Sequence, residues 1–554
     1  MTPRRLLERA GLAAFLVLTP ALALAVELPG SADPGRVLQD RTAPEEPGAF
    51  APPRIEAKPE KPKKSETGIF MNLRRVQIEG MTAYPAEEFR SLYEDKIGMR
   101  IDQGEIAFIA SEIEAKYHAD GYVFAKATSA IDPSGSAVIR VNEGRIGNVS
   151  LEGSLAGSEL LIRMAAQIRH GSAVNIRVIE RVVLLMNDLP GVTAKSVLKP
   201  AGGDALDVVI VAGPKPADSS LSLDNYGSRY NGPFEIAGST SVNNLGIPFG
   251  QTSFGVLSTL PPDELRSVQV GESIPVDANG TTGSLQIAHV ESRPGYLLKD
   301  KEIVSISYSA QLQFSHPLIR SRAENLFVTA GFTARDTATD VLETRLTKDR
   351  LRILSLSALY DFQDSLAGRN QLDAQFSQGI GIMGGSAKGD SDLSRADADP
   401  EGSYFHLSAT RMQTVTDTVG IYASVESQFA TAKLLSAEQF GYGGQKFGRA
   451  YDPSEFTADN GVEGLIEVTY SGIPDLGSAT MQPFASADFG RLWNEDAEDE
   501  ATTAASIAIG LRFAAQGGLS GQFMTAAPFL RPASAPGYGS GYAPRCFLSL
   551  SYRF

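Results

Sequence analysis

Cysteine is almost missing from this chain: Cys546 stands alone among 554 residues, which excludes an intramolecular disulfide. Histidine is scarce, and the five at positions 118, 170, 289, 316 and 406 show no ligand spacing, so neither a metal nor another cofactor is expected. Positive charge is in deficit, with 50 Lys and Arg against 65 Asp and Glu, which argues against nucleic acid as a partner. Gly443-Gly444 and the other glycine pairs lack the Lys-Ser/Thr of a phosphate-binding loop, and no Gly-x-Ser-x-Gly elbow or Ser/His/Asp set occurs, so an enzyme is not expected. Past the amino terminus no stretch approaches the ~20 consecutive apolar residues of a membrane helix. A membrane protein of this sequence must cross with β-strands, whose polar faces dilute the hydropathy, and the mean hydropathy of -0.10 is compatible with that.

The start of the chain has the three parts of a secretory signal peptide: Arg4, Arg5 and Arg9, an apolar run from Ala10 to Leu24, and small residues at Ala21, Ala23 and Ala25. Residues 1–25 are read as this leader. Without it 47 basic residues face 64 acidic ones, a net of about -17. Residues 26–68 are rich in Pro, Ala, Glu and Lys and cannot form a core, so they read as a linker. Within it, Asp33 as N-cap and Pro34 at the first helical position could open a short helix reaching Gln39.

Two compact segments follow, each of order β-α-α-β-β. The first, 69–144, has strands at Leu73 to Ile78, Val123 to Thr128 and Ala137 to Val141, with helical spacing at Ala86 to Tyr93 and Gln103 to Tyr117. The second, 145–214, has strands at Ile146 to Leu151, Val192 to Leu198 and Ala205 to Val211, with helices at Gly157 to Ile168 and Ile176 to Met186. The repeated order marks an internal duplication.

From residue 215 to 554 the pattern changes to short alternating runs separated by turn residues. Sixteen candidate strands can be drawn: 219–228, 234–243, 252–260, 266–275, 280–289, 304–315, 326–335, 350–361, 370–379, 403–412, 419–430, 461–470, 481–492, 502–513, 518–526 and 546–554. Most are near the ~9 to 11 residues of a tilted membrane strand, and an even number returns the last strand antiparallel to the first. Leu548, Leu550, Tyr552 and Phe554 alternate with Ser549, Ser551 and Arg553, which resembles the closing strand and assembly signal of a bacterial outer-membrane barrel. Segments 380–402, 431–460 and 527–545 read as extracellular loops or lumen inserts, since such barrels have short turns at one rim and long loops at the other. Phe489 and Trp493 fit an aromatic belt at the membrane surface, though packing in the wall explains any single aromatic equally well.

Particular residues carry a resemblance to a known family. They are Tyr117, Gly121, Tyr122 and Glu143-Gly144-Arg145 in the first compact segment, and Glu180, Arg181, Leu184, Leu185 and Asn187 to Gly191 in the second. The barrel adds Asp224 to Pro233, and Phe440 to Gly444 followed by Phe447 to Asp452. The chain resembles the TpsB outer-membrane transporters of two-partner secretion, which export haemolysins, filamentous haemagglutinins and related adhesins. The resemblance implies α+β periplasmic modules, two POTRA domains, followed by a 16-stranded antiparallel transmembrane β-barrel. It makes 431–460 a hairpin folded into the pore, with Arg449 and Tyr451 at its tip and Ala450 where the family has glycine. Ala tolerates positive φ poorly, which puts the tip conformation in question.

The family pairs the tip arginine with an inward aspartate, and the matching position is Asp488, which faces the lumen if Phe489 faces lipid. Arg512, on the next strand, is an alternative partner for Asp488. An arginine–carboxylate pair is directional enough to lock a hairpin in a pore.

The implied function is a translocator that needs no ATP and meets an unfolded partner protein through the strand edges of its POTRA domains. Val123, Phe124, Val192 and Val197 are the candidate contacts. The expected partner is a secreted β-helical exoprotein, an adhesin, haemolysin or toxin. Outer-membrane lipid and the barrel-assembly machinery that would insert the chain complete the expected surroundings. The helix near Asp33 would be a plug. A barrel that inserts other barrels, from the wider POTRA-barrel superfamily, is the alternative, and a passive porin is disfavoured by the periplasmic modules.

Overall fold

The computed structural model describes residues 28–37, 67–495, 500–531 and 541–554. The leader, most of the linker and Gln39 lie outside the described residues. In the first module, strand Ser136–Asn142 is central, parallel to Arg75–Glu79 and antiparallel to Lys126–Ile131. Helix Gln103–Ala119 presents Ile106, Ile109, Ile113 and Tyr117, a helical stripe, to Ala137, Ile139 and Val141 on the central strand. The helix starts where Asp102 accepts the Gly104 N–H at 2.7 Å. The stretch expected to be a helix at Ala86 to Tyr93 forms 3-10 turns over Ala86–Leu92 instead.

The second module repeats this topology. Ala205–Pro214 is central, parallel to Arg145–Glu152 and antiparallel to Val192–Gly202. Helix Ile176–Asp188 buries Ile179, Val182 and Leu185 in one core with Val208, Ile210 and Ala212. The two modules lock end to end. Arg177 donates to the Ala119 carbonyl at 2.6 Å, Asn175 to that of Asp120 at 3.2 Å, and the Ile176 N–H to that of Gly121 at 2.9 Å.

Glu143, at the end of the first module, is buried and takes hydrogen bonds from Tyr117 Oη at 2.6 Å, from the N–H groups of Thr82 and Ala83 at 2.8 and 2.9 Å, and from the Thr82 hydroxyl. Burial pushes its pKa up, but these hydrogen bonds outweigh burial and hold the carboxyl below its usual range.

Beyond the modules, sixteen antiparallel strands close into a barrel, with Ser219–Asp224 pairing with Arg545–Arg553. Each expected strand has its counterpart. Three grow far longer than expected, Ile303–Arg320, Glu324–Val341 and Thr344–Gln363, because their alternation runs on into hairpins that stand above the wall. The first is shorter than expected. It ends at Asp224, and residues 226–231 turn into the interior and are buried.

Because the chain enters the wall from the second module, odd strands run away from the modules and even strands return. Connections 380–402 and 431–459 therefore lie at the far rim, as does 531–544, which is shorter than expected because its strand continues to Leu530.

The second module sits against the near rim. Arg320 makes a two-pronged pair with Asp188 at 2.6 and 2.8 Å, Arg181 donates to the Pro317 carbonyl at 3.0 Å, and the Arg322 N–H to Glu180 at 3.0 Å.

Candidate functional site

The hairpin between the eleventh strand, Val419–Ala430, and the twelfth, Asn460–Tyr470, folds into the lumen. Its stem is a short ladder in which Phe440, Gly441 and Tyr442 pair with Ala458, Thr457 and Phe456. Two wall glycines receive its aromatic rings. A Cβ on Gly461 would lie 2.1 Å from the Phe440 ring, and one on Gly490 would lie 2.4 Å from that of Tyr442. At the tip the left-handed residue is Gly448, with φ 65°, whereas Ala450 is not among the positive-φ residues. Ala450 meets no backbone conflict there, and its methyl joins a cluster with Tyr226, Phe484 and Met524.

The Arg449 guanidinium does not bind Asp488, which corrects the expected pair. Its Nη1 lies 2.6 Å from Glu467 on the twelfth strand and donates to Ser486 Oγ at 2.9 Å. Glu467 and Ser486 are cross-strand neighbours on the inward face, so one nitrogen reaches both. Asp488 is engaged otherwise, by Tyr442 Oη at 2.6 Å and Ser506 Oγ at 2.8 Å, with only the Arg449 backbone N–H nearby at 3.4 Å. Arg512 also turns to Glu467 rather than Asp488, at 2.5 and 2.9 Å. The Phe484 ring lies near both guanidinium groups, 5.6 Å from Arg449 and 4.2 Å from Arg512. Asp488 does face the lumen and Phe489 the outside, as their parity required. Tyr451 is buried, its hydroxyl 2.6 Å from the Leu530 carbonyl and 3.0 Å from that of Ala505.

A second cluster was not foreseen. Asp452 and the side chain of Glu455, just past the tip, are buried against three arginines from far-rim segments. Asp452 pairs with Arg229 at 2.5 Å and Arg545 at 2.9 Å, and Glu455 with Arg229 at 3.1 Å and Arg531 at 2.6 Å. The turn residues Gly227, Gly232 and Pro233 were a signal that Arg229 leaves the strand.

The segment 28–37 lies inside the barrel against this hairpin. Arg36 is buried and donates to the Gln439 carbonyl at 2.5 Å and to Ser454 Oγ at 2.9 Å, while the Ser31 carbonyl accepts from Ser228 Oγ at 2.6 Å. The expected helix from Asp33 is absent among the described residues. A 3-10 turn, Gly30–Ala32, precedes it, and Asp33 accepts the Gly35 N–H at 2.8 Å as an N-cap does, but residues 34–37 form turns and not a helix.

Three of the four candidate cargo contacts need correction. Val123 and Phe124 are exposed but precede their strand, which begins at Lys126. Val192 is 1% exposed and belongs to the core of the second module, so it cannot meet a partner. Val197 is exposed on its strand. Strands Lys126–Ile131 and Val192–Gly202 are both edge strands of their sheets.

The family model for haemolysin secretion/activation proteins ShlB/FhaC/HecB matches residues 205–513, and that for the ShlB-type POTRA domain matches 71–144. The chain belongs to this family. It is 22% identical over 407 residues to the heme/hemopexin transporter protein HuxB of Haemophilus influenzae, covering 71% of each chain. With the outer membrane transporter CdiB of Dickeya dadantii it shares 24% identity over 446 residues, 77% of each. The structure of CdiB from Escherichia coli superposes with a TM-score of 0.75 at 20% identity, over 93% of this chain and 94% of that one. The protein is thus a two-partner secretion transporter of the outer membrane, with POTRA domains in the periplasm and a barrel in the wall.

Proposed function

We propose that this transporter secretes a β-helical exoprotein, an adhesin, haemolysin or toxin, without ATP and without covalent chemistry. In this reading the chain comprises a leader 1–25, a plug and linker 26–68, POTRA domains 69–144 and 145–214, and a barrel 215–554 inserted into the lipid by the barrel-assembly machinery. Unfolded cargo pairs with the exposed edges Lys126–Ile131 and Val192–Gly202, where backbone hydrogen bonds tolerate any sequence. Folding outside pulls the chain through. At rest the pore is shut by the segment at 28–37 and by the hairpin, locked by Arg449 on Glu467, which Arg512 shares, and by Tyr451 on the wall carbonyls, with Asp488 holding the stem through Tyr442.

The observation that carries this reading is the hold of Arg36 on the hairpin carbonyls, which ties the two lumen occupants together. The test is conductance in planar bilayers. Deleting residues 26–41 should raise single-channel conductance severalfold, and unchanged conductance would reject the plug.

A further inference from the structure

We propose that the outside of the barrel carries a site for one zwitterionic glycerophospholipid of the periplasmic leaflet, with an acyl chain in a wall furrow and the head group on Arg411 and Asp364. The furrow crosses the ninth to thirteenth strands and has a volume of about 490 Å³. Its floor holds the small outward residues Ala409, Ala423, Gly464 and Ala487, which are diagonal neighbours across four successive strands, with Val425 and Ile466 standing between them. Elsewhere the wall presents large side chains such as Leu354, Leu356, Phe376 and Phe405 to the same surroundings. The Phe489 ring closes over Gly464, where a Cβ would lie 2.7 Å from it.

Lipid tails and an apolar wall do not attract each other by the hydrophobic effect, so a held chain depends on packing contacts. A furrow supplies those contacts on more than one side, whereas a flat wall supplies them on one.

The furrow meets a polar cluster at the periplasmic rim. Arg411 points outward from the end of the tenth strand, as does Asn370 across from it. Its guanidinium lies 2.5 Å from Asp364, in the turn after the eighth strand, 2.7 Å from Asn370 Oδ1 and 2.5 Å from Gln413 Oε1. The Arg411 side chain remains 34% exposed and that of Asp364 26%. Phosphate oxygens match a guanidinium fork, and an ammonium group matches the adjacent carboxylate. Asp364, already held by Arg411 and Asn370, still leaves the cluster with a carboxylate beside the guanidinium, and that pairing of charges favours a phosphoethanolamine head group over an anionic one, which brings no cation to the carboxylate.

The test is native mass spectrometry of the full-length protein, titrated in detergent with phosphatidylethanolamine or phosphatidylglycerol of the same acyl chains. One phosphatidylethanolamine per chain should bind, and phosphatidylglycerol should bind about tenfold more weakly. Ala409→Phe and Ala423→Phe, which fill the furrow, should each reduce binding about tenfold, as should Arg411→Gln with Asp364→Asn. Ile287→Phe, on the distant fifth strand, should change nothing. A heat-dependent gel shift confirms that each variant is folded. Undiminished binding to folded furrow variants overturns the furrow, and equal binding of the two lipids overturns the head-group assignment. Loss of a dimer instead of a lipid would make the face a contact between copies of the chain.

Discussion

The lumen hairpin is anchored twice, with opposite polarity. At the tip the hairpin provides the cation, Arg449, and the wall provides Glu467, shared with Arg512. Just past the tip the hairpin provides two anions, Asp452 and Glu455, and far-rim segments provide Arg229, Arg531 and Arg545. The tip anchor stands on three neighbouring strands that hold one another in register. The other stands on the inward turn after the first strand and on the far-rim ends of the last two strands, where the barrel closes, so it ties the far rim to the pore. A change at the tip should loosen the hairpin, and a change in the second cluster should loosen the rim as well.

Asp452→Ala tests this most severely. Removing it takes away the carboxylate that Arg229 and Arg545 share and leaves Glu455 to Arg229, at a cost of ~3 to 5 kcal/mol, and both secretion and the heat-resistant folded gel band should decline. A normal band with normal secretion would make the cluster dispensable.

Arg449→Ala should cut secretion strongly but leave the folded band, since Arg512 still neutralises Glu467. The charge exchange Arg449→Glu with Glu467→Arg should recover part of the loss, while an exchange with Asp488 should recover none. Recovery only through Asp488 would restore the pairing implied by the family resemblance. Gly490→Val should push Tyr442 off the wall and raise resting conductance by a smaller factor than loss of the plug.

The smallest effect belongs to Glu143, far from both anchors. Its carboxyl is held below its usual range in the folded module, so the stability it contributes is present above the ordinary pKa of 4.5 and is lost as pH falls through the lowered value. Limited proteolysis of the first module should accelerate below about pH 4.5, and Glu143→Gln should flatten that dependence. An identical pH profile in the variant would remove Glu143 from the account.

The wall was legible because a strand between lipid and a polar lumen must alternate, and alternation also gave the direction of Asp488 and Phe489. The partner of Arg449 was not legible in the same way. The twelfth strand offers Glu463 and Glu467 on one face and the thirteenth offers Asp488, and only the depth of the tip selects among them. One error was avoidable from the pattern itself. Val192 and Val197 have opposite parity on one strand, so both could not face outward. The short helix at Asp33 failed for another reason. A single turn cannot repay its own nucleation, and residues 34–37 form turns instead.

The stem ladder of Phe440–Tyr442 with Phe456–Ala458 also acts as a gauge of the bore. Two extended strands side by side already fit inside this wall, together with the buried piece at 28–37. Strands pair ~4.8 Å apart, so the resting occupants have the cross-section of a hairpin rather than of a single thread. A cargo entering as a loop, with both limbs inside at once, would need about the room that the transporter's own hairpin vacates.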